Sequence, residues 1–221
     1  IDGHFDIVSK LDYECELAVI IGKDCKDVSE KEAPDYIFGY TILNDVTARD
    51  VQTAHKQWYF GKSLDHFAPM GPVIVTAEEF AFPPQLTITC RVNGELRQQD
   101  NTRNLVHSIA YIISELSHGM TLRCGTIIST GTPAGTGVGM NPPQFLKSGD
   151  VVECSMKQLL NPELTASWEK GLTYVAEGSI TSQEYMDKLE GFVGRRTQAV
   201  MGLNNQRQLI MMFDESAKNY K

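Results

Sequence analysis

The sequence predicts a mainly β protein with a few helices, an α+β fold, and three patterns support this prediction. Residues 17–21 form a short apolar run that ends at a glycine, as expected for a strand buried on both faces. Residues 86–92 alternate between apolar and polar side chains and lead into Asn93-Gly94, a dipeptide typical of β-hairpin turns. Residues 105–116 carry apolar side chains at helical spacing and predict a helix.

The rest of the first 157 residues also consists of short predicted strands. They cover residues 36–43, 73–76, 95–98, 125–130 and 151–154. The pattern changes after residue 157, where an Asn-Pro helix start and two apolar stripes predict a helical hairpin. We therefore predict a strand-rich domain over residues 1–157 and a helical tail over residues 158–221.

Composition and charge exclude several functional classes. The 221 residues carry a formal net charge of -8, so nucleic acid is a poor candidate partner, because phosphate binding needs a basic surface. No run of 18 apolar residues is present, which argues against a membrane-spanning helix. The five cysteines are odd in number and form no C-x-x-C pair. We therefore expect neither a zinc site nor a disulfide framework, and reduced thiols fit a cytoplasmic location.

Three carboxylates form the main candidate site. Glu14 and Glu16 are two residues apart, so on a strand they point to the same face. Asp45 follows the predicted strand at 36–43 and can add a third oxygen ligand. Carboxylates without a nearby His or Cys suit a hard cation, namely Mg²⁺, Mn²⁺ or Ca²⁺. The spacing fits equally well with an alternative in which both glutamates are the solvent side of a half-buried strand.

Several segments carry, in order, a resemblance to a known family. Residues 11–23 read LDYECELAVIIGK and residues 39–50 read GYTILNDVTARD. The match continues through residues 57–72, 92–102, 131–135 and 146–150. In these motifs the sequence resembles the fumarylacetoacetate hydrolase family, and the stretch before residue 146 is similar to the branch that acts on short dicarboxylic or acylpyruvate-like acids.

The resemblance implies a mixed β-sandwich or roll over residues 1–157 and a metal site within it. By this resemblance, Glu14, Glu16 and Asp45 hold Mg²⁺ or Mn²⁺. Lys62, in the Gly-Lys-Ser motif, lies beside the metal and the substrate oxygens. Taken without the resemblance, Lys62 reads as an ordinary surface lysine.

The resemblance also implies a substrate pocket around the metal. Thr132 presents its hydroxyl and backbone N–H to a substrate carboxylate, with Gly131 beside it, and Arg49 and Gln52 line the same pocket. Thr132, Gln52 and Lys62 are the expected catalytic residues. Arg49 has an alternative interpretation as a structural ion-pair partner, and the glycine-rich turn has one as a simple connection.

The implied reaction is metal-dependent hydrolysis of C–C bonds in acylpyruvate-like or fumarylacetoacetate-like keto acids, by a homodimer with a small-molecule substrate. A metal that chelates such an acid stabilises an enolate, so an isomerase, an oxaloacetate decarboxylase and a tautomerase are alternatives. Family members carry a His–Glu pair upstream of residue 12, where this sequence has only eleven residues. We therefore expect weak hydrolysis, and an inactive remnant that binds metal and keto acid is a further alternative.

The predicted tail has a resemblance of its own. Residues 162–190 resemble the C-terminal segment of type IA topoisomerases of the topoisomerase III kind, without an acidic metal cluster or an active-site tyrosine motif. A nucleic-acid-associated module is therefore an alternative for the tail. The eight basic and eight acidic residues of 155–221 cancel, which argues against it.

Overall fold

Two antiparallel sheets enclose the main core of the computed structural model, which describes residues 1–54, 57–156 and 159. The strands are β1 (Leu11–Asp12), β2 (Cys15–Ile21), β3 (Ile37–Asn44), β4 (Thr47–Ala48), β5 (Val75–Thr76), β6 (Thr87–Val92), β7 (Glu95–Asn101), β8 (Ile127–Ser129) and β9 (Val152–Met156). The helices are α1 (Arg49–Ala54) and α2 (Ile109–Ser117), and short 3₁₀ helices lie at Ala33–Tyr36, Phe60–Lys62, Ala77–Glu79, Thr102–Asn104 and Gly137–Gly139. The predicted mainly β architecture with a few helices is confirmed for this part of the chain.

The larger sheet has the strand order β5-β3-β2-β8, and the smaller one has the order β7-β6-β9. All seven residues of β2 are buried, which confirms a strand covered on both faces. The core between the sheets is formed by the apolar side chains of β2, β3, β6 and α2. Strands β1 and β4 pair separately over a second, smaller apolar cluster.

The predicted hairpin at Asn93-Gly94 is confirmed. Val92 and Glu95 are paired across the turn, and both turn residues have positive φ angles, 51° and 81°. Asparagine and glycine are the residues that tolerate this backbone conformation, which matches the twist of the two strands. The hairpin connects β6 to β7 and thereby fixes the register of the smaller sheet.

Helix α2 is shorter than the predicted span of residues 105–116. It begins at Ile109, because the Ser108 hydroxyl caps it by accepting a hydrogen bond from the backbone N–H of Tyr111 at 3.0 Å. Ile109 and Ile113 then face the core. The apolar residues at the start of the predicted span precede this cap, so periodicity alone placed the helix boundary four residues too early.

Helix α1 was not predicted from the sequence. Its six residues are too few to show a helical period, and Val51 is the apolar side chain that packs against the smaller core cluster. The helix matters for function because it carries Arg49 and Gln52. Packing of Val51 against the smaller core cluster therefore stabilises a helix that the local sequence does not predict.

Several sequence predictions lie outside the described residues. These include the helical hairpin and the topoisomerase-like resemblance of residues 158–221. Residues Ile1–Leu159 form one compact unit, and the domain boundary at 157 stays a prediction. In the part of the chain that the structure describes, none of the helices is both long and apolar enough to cross a lipid bilayer. The cytoplasmic location also stays a prediction.

Gly39 on β3 provides a test of the packing between β3 and β5. A Cβ atom at this position would lie 2.3 Å from the carbonyl oxygen of Val75. We expect Gly39→Ala to lower the free energy of unfolding by about 1–3 kcal/mol, because the two strands must separate to accept the methyl group. Gly119→Ala is the matched control, since its Cβ would meet nothing within 4 Å, and it should change stability by less than about 0.5 kcal/mol. Equal stabilities in urea denaturation would contradict this packing.

Candidate metal centre

The ends of two paired strands bring three carboxylates together. Cys15 pairs with Asn44 in the antiparallel register of β2 and β3, so Glu14 and Asp45 lie next to each other just outside the pair. The backbone N–H of Asp45 donates to the carbonyl oxygen of Glu14 at 2.8 Å, and the N–H of Glu14 donates to the side-chain oxygen of Asn44 at 3.0 Å. One carboxylate oxygen each from Glu14, Glu16 and Asp45 lies within 4.8 Å of the others.

This arrangement excludes the alternative of a solvent-facing glutamate pair. Glu16 is only 3% exposed, and the side chain of Glu14 is 12% exposed. Carboxylates lose much of their hydration at this depth, so they need cationic or hydrogen-bonding partners. The predicted cluster is therefore present in the structure.

Glu16 is held by the loop that follows β8. Its Oε2 atom accepts hydrogen bonds from the hydroxyl of Ser129 and from the backbone N–H of Gly131, the latter at 2.7 Å. Burial raises the pKa of Glu16 to about 7, although these two hydrogen bonds act in the opposite direction. The charges of Asp45 and Glu14 raise it further. Anchoring Oε2 on one side leaves Oε1 available to the cluster.

Lys62 supplies one positive charge to the cluster. Its Nζ atom donates to Glu14 Oε2 at 2.9 Å, to Thr47 Oγ1 at 3.0 Å and to a carboxylate oxygen of Asp45. Burial lowers the pKa of Lys62, but the hydrogen bonds to Asp45 and Glu14 outweigh it and raise the pKa above its ordinary value. The side chain is 22% exposed, so the surface-lysine interpretation is wrong.

A close backbone approach puts Lys62 in this position. It ends the 3₁₀ helix Phe60–Lys62, which packs against α1. A Cβ atom on Gly61 would lie 2.6 Å from the backbone of Gln52. The glycine in the Gly-Lys-Ser motif therefore allows the two short helices to touch, and this contact brings the ammonium group over the carboxylates.

Arg49 supplies the second positive charge. Its Nη2 lies 2.6 Å from Glu14 Oε1, and its Nε donates to Asp12 Oδ2 at 2.9 Å. Its Nη1 donates to the side-chain oxygen of Gln52 at 3.4 Å. The interpretation of Arg49 as a structural ion-pair partner is confirmed. A direct contact of Arg49 or Gln52 with substrate stays a prediction.

The turn after β8 contributes Thr132. The Thr132 hydroxyl donates to the carbonyl oxygen of Cys15 at 3.0 Å and accepts from Gln98 Nε2 at 2.8 Å. Its backbone N–H has no hydrogen-bond partner within residues 1–54, 57–156 and 159. The N–H of Gly131 is already bonded to Glu16. Among the described residues, the N–H of Thr132, which is predicted to meet substrate, therefore remains available, whereas that of Gly131 does not.

Sequence reasoning missed several residues that support the cluster. They are polar side chains that hold the carboxylates, the cations or the turn, namely Asp12, Thr47, Gln98 and Ser129. One signal could have indicated Asp12, which continues the alternation of Glu14 and Glu16 by two residues. The other contacts depend on chain segments that only the fold brings together.

The donor set fits a divalent cation. Four carboxylates, those of Asp12, Glu14, Glu16 and Asp45, face the two cationic groups of Arg49 and Lys62, which leaves two negative charges when all are ionised. The three clustered ligands are all oxygens, which Mg²⁺ and Mn²⁺ prefer.

Comparison with known proteins identifies the family. The model of the fumarylacetoacetate (FAA) hydrolase C-terminal domain matches residues 4–165. The chain belongs to the fumarylacetoacetate hydrolase family. The oxaloacetate tautomerase YisK of Bacillus subtilis is 50% identical over 156 residues, which are 71% of this chain and 52% of that protein. The chain thus spans about half the length of this relative.

Solved structures of the family share the fold. A fumarylacetoacetate hydrolase from psychrophilic Exiguobacterium antarcticum is 50% identical, with a TM-score of 0.69 over 71% of this chain and 56% of that chain. A fumarylpyruvate hydrolase from Pseudomonas aeruginosa in complex with Mn²⁺ and pyruvate is 30% identical, with a TM-score of 0.62 over 68% and 63%. These relatives are enzymes that act on small molecules, and they support the fumarylacetoacetate-hydrolase-like fold predicted from the motifs.

The raised pKa of Glu16 generates a prediction about pH. A cation binds the ionised carboxylate, so Mn²⁺ binding should release a proton below about pH 7 and weaken up to about tenfold for each further pH unit. Without metal, the contribution of Glu16 to stability is fully present below its ordinary pKa of 4.5 and is lost as the pH rises through about 7. Titration calorimetry in two buffers counts the protons, and Glu16→Gln should release fewer. A constant affinity between pH 5.5 and 8 would contradict this assignment.

Proposed function

We propose that Glu14, Glu16 and Asp45 bind one Mg²⁺ or Mn²⁺ ion. The observation that carries this proposal is the convergence of three buried or half-buried carboxylates within 4.8 Å. Three protein oxygens leave coordination positions for water and substrate, as expected for a magnesium or manganese site, whereas Ca²⁺ takes more ligands. The Mn²⁺ in the fumarylpyruvate hydrolase supports the same choice.

We propose a small 2-keto or 1,3-diketo acid as the substrate. The backbone N–H of Thr132 has no partner among the described residues and is a donor for its carboxylate. The ammonium group of Lys62 supplies positive charge from one short helix, and the side chain of Gln52 is a further proposed contact from the other. Lys62 contacts two of the three proposed ligands, Glu14 and Asp45. Its ammonium group would therefore lie close to substrate oxygens that bind the metal. A bound divalent ion would neutralise the two negative charges that Arg49 and Lys62 leave on the site, so an anionic acid would meet no net negative charge there.

The proposed reaction is hydrolysis of the C–C bond of an acylpyruvate-type acid. A bound Mg²⁺ or Mn²⁺ would act as a Lewis acid that polarises the keto oxygens. The hydroxyl of a water molecule adds to the acyl carbon and the C–C bond breaks. The electron pair of that bond stays on the pyruvate fragment, whose carbon takes up the proton released from the same water. Lys62 stabilises the negative charge that develops on this fragment, and the Thr132 N–H orients its carboxylate.

Tautomerisation of oxaloacetate is the second candidate. The 50% identity to a protein named oxaloacetate tautomerase favours it. Proton transfer between carbon and oxygen needs the same charge stabilisation by Lys62 but no attacking water. An isomerase and an oxaloacetate decarboxylase use related chemistry and remain alternatives. A homodimer, which the family resemblance implies, stays a prediction.

We expect Asp45→Asn to lower kcat/KM by about 100-fold or more in the presence of Mn²⁺, because loss of one ligand removes several kcal/mol of metal-dependent stabilisation. Acetylpyruvate hydrolysis and the decay of enol-oxaloacetate are both followed by ultraviolet absorbance, and pyruvate formation from oxaloacetate reports decarboxylation. Asp24→Asn is the control, since Asp24 also pairs with an arginine and a backbone N–H but lies outside the cluster. It should keep wild-type activity.

The outcomes separate the candidate functions. Acetylpyruvate turnover supports the hydrolase, and turnover of enol-oxaloacetate alone supports the tautomerase. Binding of Mn²⁺ with no turnover of any of these acids would support the inactive remnant. Activity that survives both Asp45→Asn and chelation of metal would contradict the metal site itself.

A further inference from the structure

Asp12 is the most deeply buried charged group next to the cluster. It is 0% exposed, and four donors surround its carboxylate. Its Oδ1 accepts from the backbone N–H groups of Tyr13 at 2.9 Å and Gly137 at 2.7 Å. Its Oδ2 accepts from the N–H of Val138 and from Arg49 Nε, both at 2.9 Å. A buried carboxylate with this many short hydrogen bonds is fixed in position.

Arg49 connects the fixed carboxylate of Asp12 to the functional site. Each of its three nitrogens has a different partner: Nε bonds Asp12, Nη1 bonds Gln52, and Nη2 pairs with Glu14. The guanidinium group is planar, so fixing Nε also fixes the directions of the other two nitrogens. One proposed metal ligand and one expected catalytic residue therefore depend on a single guanidinium plane.

We propose that Asp12 is a positioning residue that sets the metal affinity of the site by holding Arg49. This inference rests on the proposed metal function. Arg49 Nη2 holds Glu14 Oε1 at 2.6 Å and Lys62 holds Oε2 at 2.9 Å, so the orientation of the Glu14 carboxylate depends on both cations. Without the charge of Asp12, Arg49 is free to turn toward other carboxylates of the cluster. Glu14 then loses one of its two cationic partners, and Gln52 loses a partner.

Asp12 also ties down the turn at Gly137 and Val138, which is a purely structural role. A Cβ atom on Gly137 would lie 2.8 Å from Asp12 Oδ1 and 2.0 Å from the carbonyl oxygen of Gln144. Loss of the turn alone would lower stability without passing through Arg49. The test must therefore separate an effect on stability from an effect carried by the guanidinium group.

A double-mutant cycle on Mn²⁺ binding makes this separation. Asp12→Asn and Arg49→Lys are measured singly and together in the full chain, with Mn²⁺ affinity from electron paramagnetic resonance and stability from metal-free thermal unfolding. Each single substitution should weaken Mn²⁺ binding by about 10–100-fold, as is usual for groups that orient metal ligands. If Asp12 acts through Arg49, the double variant should bind Mn²⁺ no more weakly than whichever single variant has the lower Mn²⁺ affinity. The KM for acetylpyruvate or enol-oxaloacetate should rise as well, because Gln52 is hydrogen-bonded to the same guanidinium group.

The control is Asp50→Asn, which disturbs the same short helix without a contact to the Arg49 side chain. Asp50 accepts from the N–H and hydroxyl of Ser9 and from the N–H of Val51. It should lower thermal stability and leave Mn²⁺ affinity within about twofold of wild type. If Asp50→Asn weakens binding as much as Asp12→Asn, general disturbance explains the effect and the inference is wrong.

The remaining outcomes are also decisive. Additive losses in the cycle, or wild-type affinity in a folded Asp12→Asn variant, would overturn the positioning role while leaving the metal site intact. A wild-type protein that does not bind Mn²⁺ would instead overturn the proposed function. If Asp12→Asn does not fold, Asp12→Glu keeps the charge but displaces it by one methylene, and it should still weaken Mn²⁺ binding. Unchanged affinity in Asp12→Glu would then count against the inference.

Discussion

Repulsion among Glu14, Glu16 and Asp45 is the physical constraint on which the surrounding structure depends. Carboxylate oxygens that lie within 4.8 Å of one another repel by on the order of 3 kcal/mol per pair at an effective dielectric constant of about 20. The fold counters this repulsion with Arg49 and Lys62, which reach the cluster from two short helices. These cations leave a residual negative charge, so the site is stable enough to fold and still attracts a divalent ion.

The two sheets serve to hold these charges at fixed positions. Strand β2 is buried along its whole length, so Glu16 at its start cannot turn toward solvent. The loop after β8 then fixes one oxygen of Glu16 through Ser129 and Gly131, and these two contacts leave the other oxygen available to a metal ion. The rigid core thus places each carboxylate by backbone geometry rather than by side-chain flexibility, which is the condition for a preorganised metal site.

The features that the sequence predicts are those that depend on the spacing and type of neighbouring residues. The spacing of Glu14 and Glu16, the Asn93-Gly94 turn and the buried apolar run of β2 all follow from side-chain periodicity. Asp45 could be suggested from its place after a predicted strand, but the role of Lys62 needed the family resemblance, because a lone lysine outside a predicted element carries no local signal. The contacts of Ser129 with Glu16, 113 positions apart, follow from sheet topology, which periodicity does not specify. Helix α1 and the hydrogen bonds of Asp12 were missed for the same reason.

Anomalous diffraction from crystals soaked in Mn²⁺ tests the central claim most directly. The proposed site predicts a single strong manganese peak within bonding distance of one oxygen each from Glu14, Glu16 and Asp45, with Lys62 beside it. The same soak of an Asp45→Asn crystal should lose the peak or lower its occupancy. A manganese peak elsewhere on the protein, with the three carboxylates held only by Lys62 and Arg49, would contradict the account. The cluster would then be a structural ion-pair network rather than a metal centre.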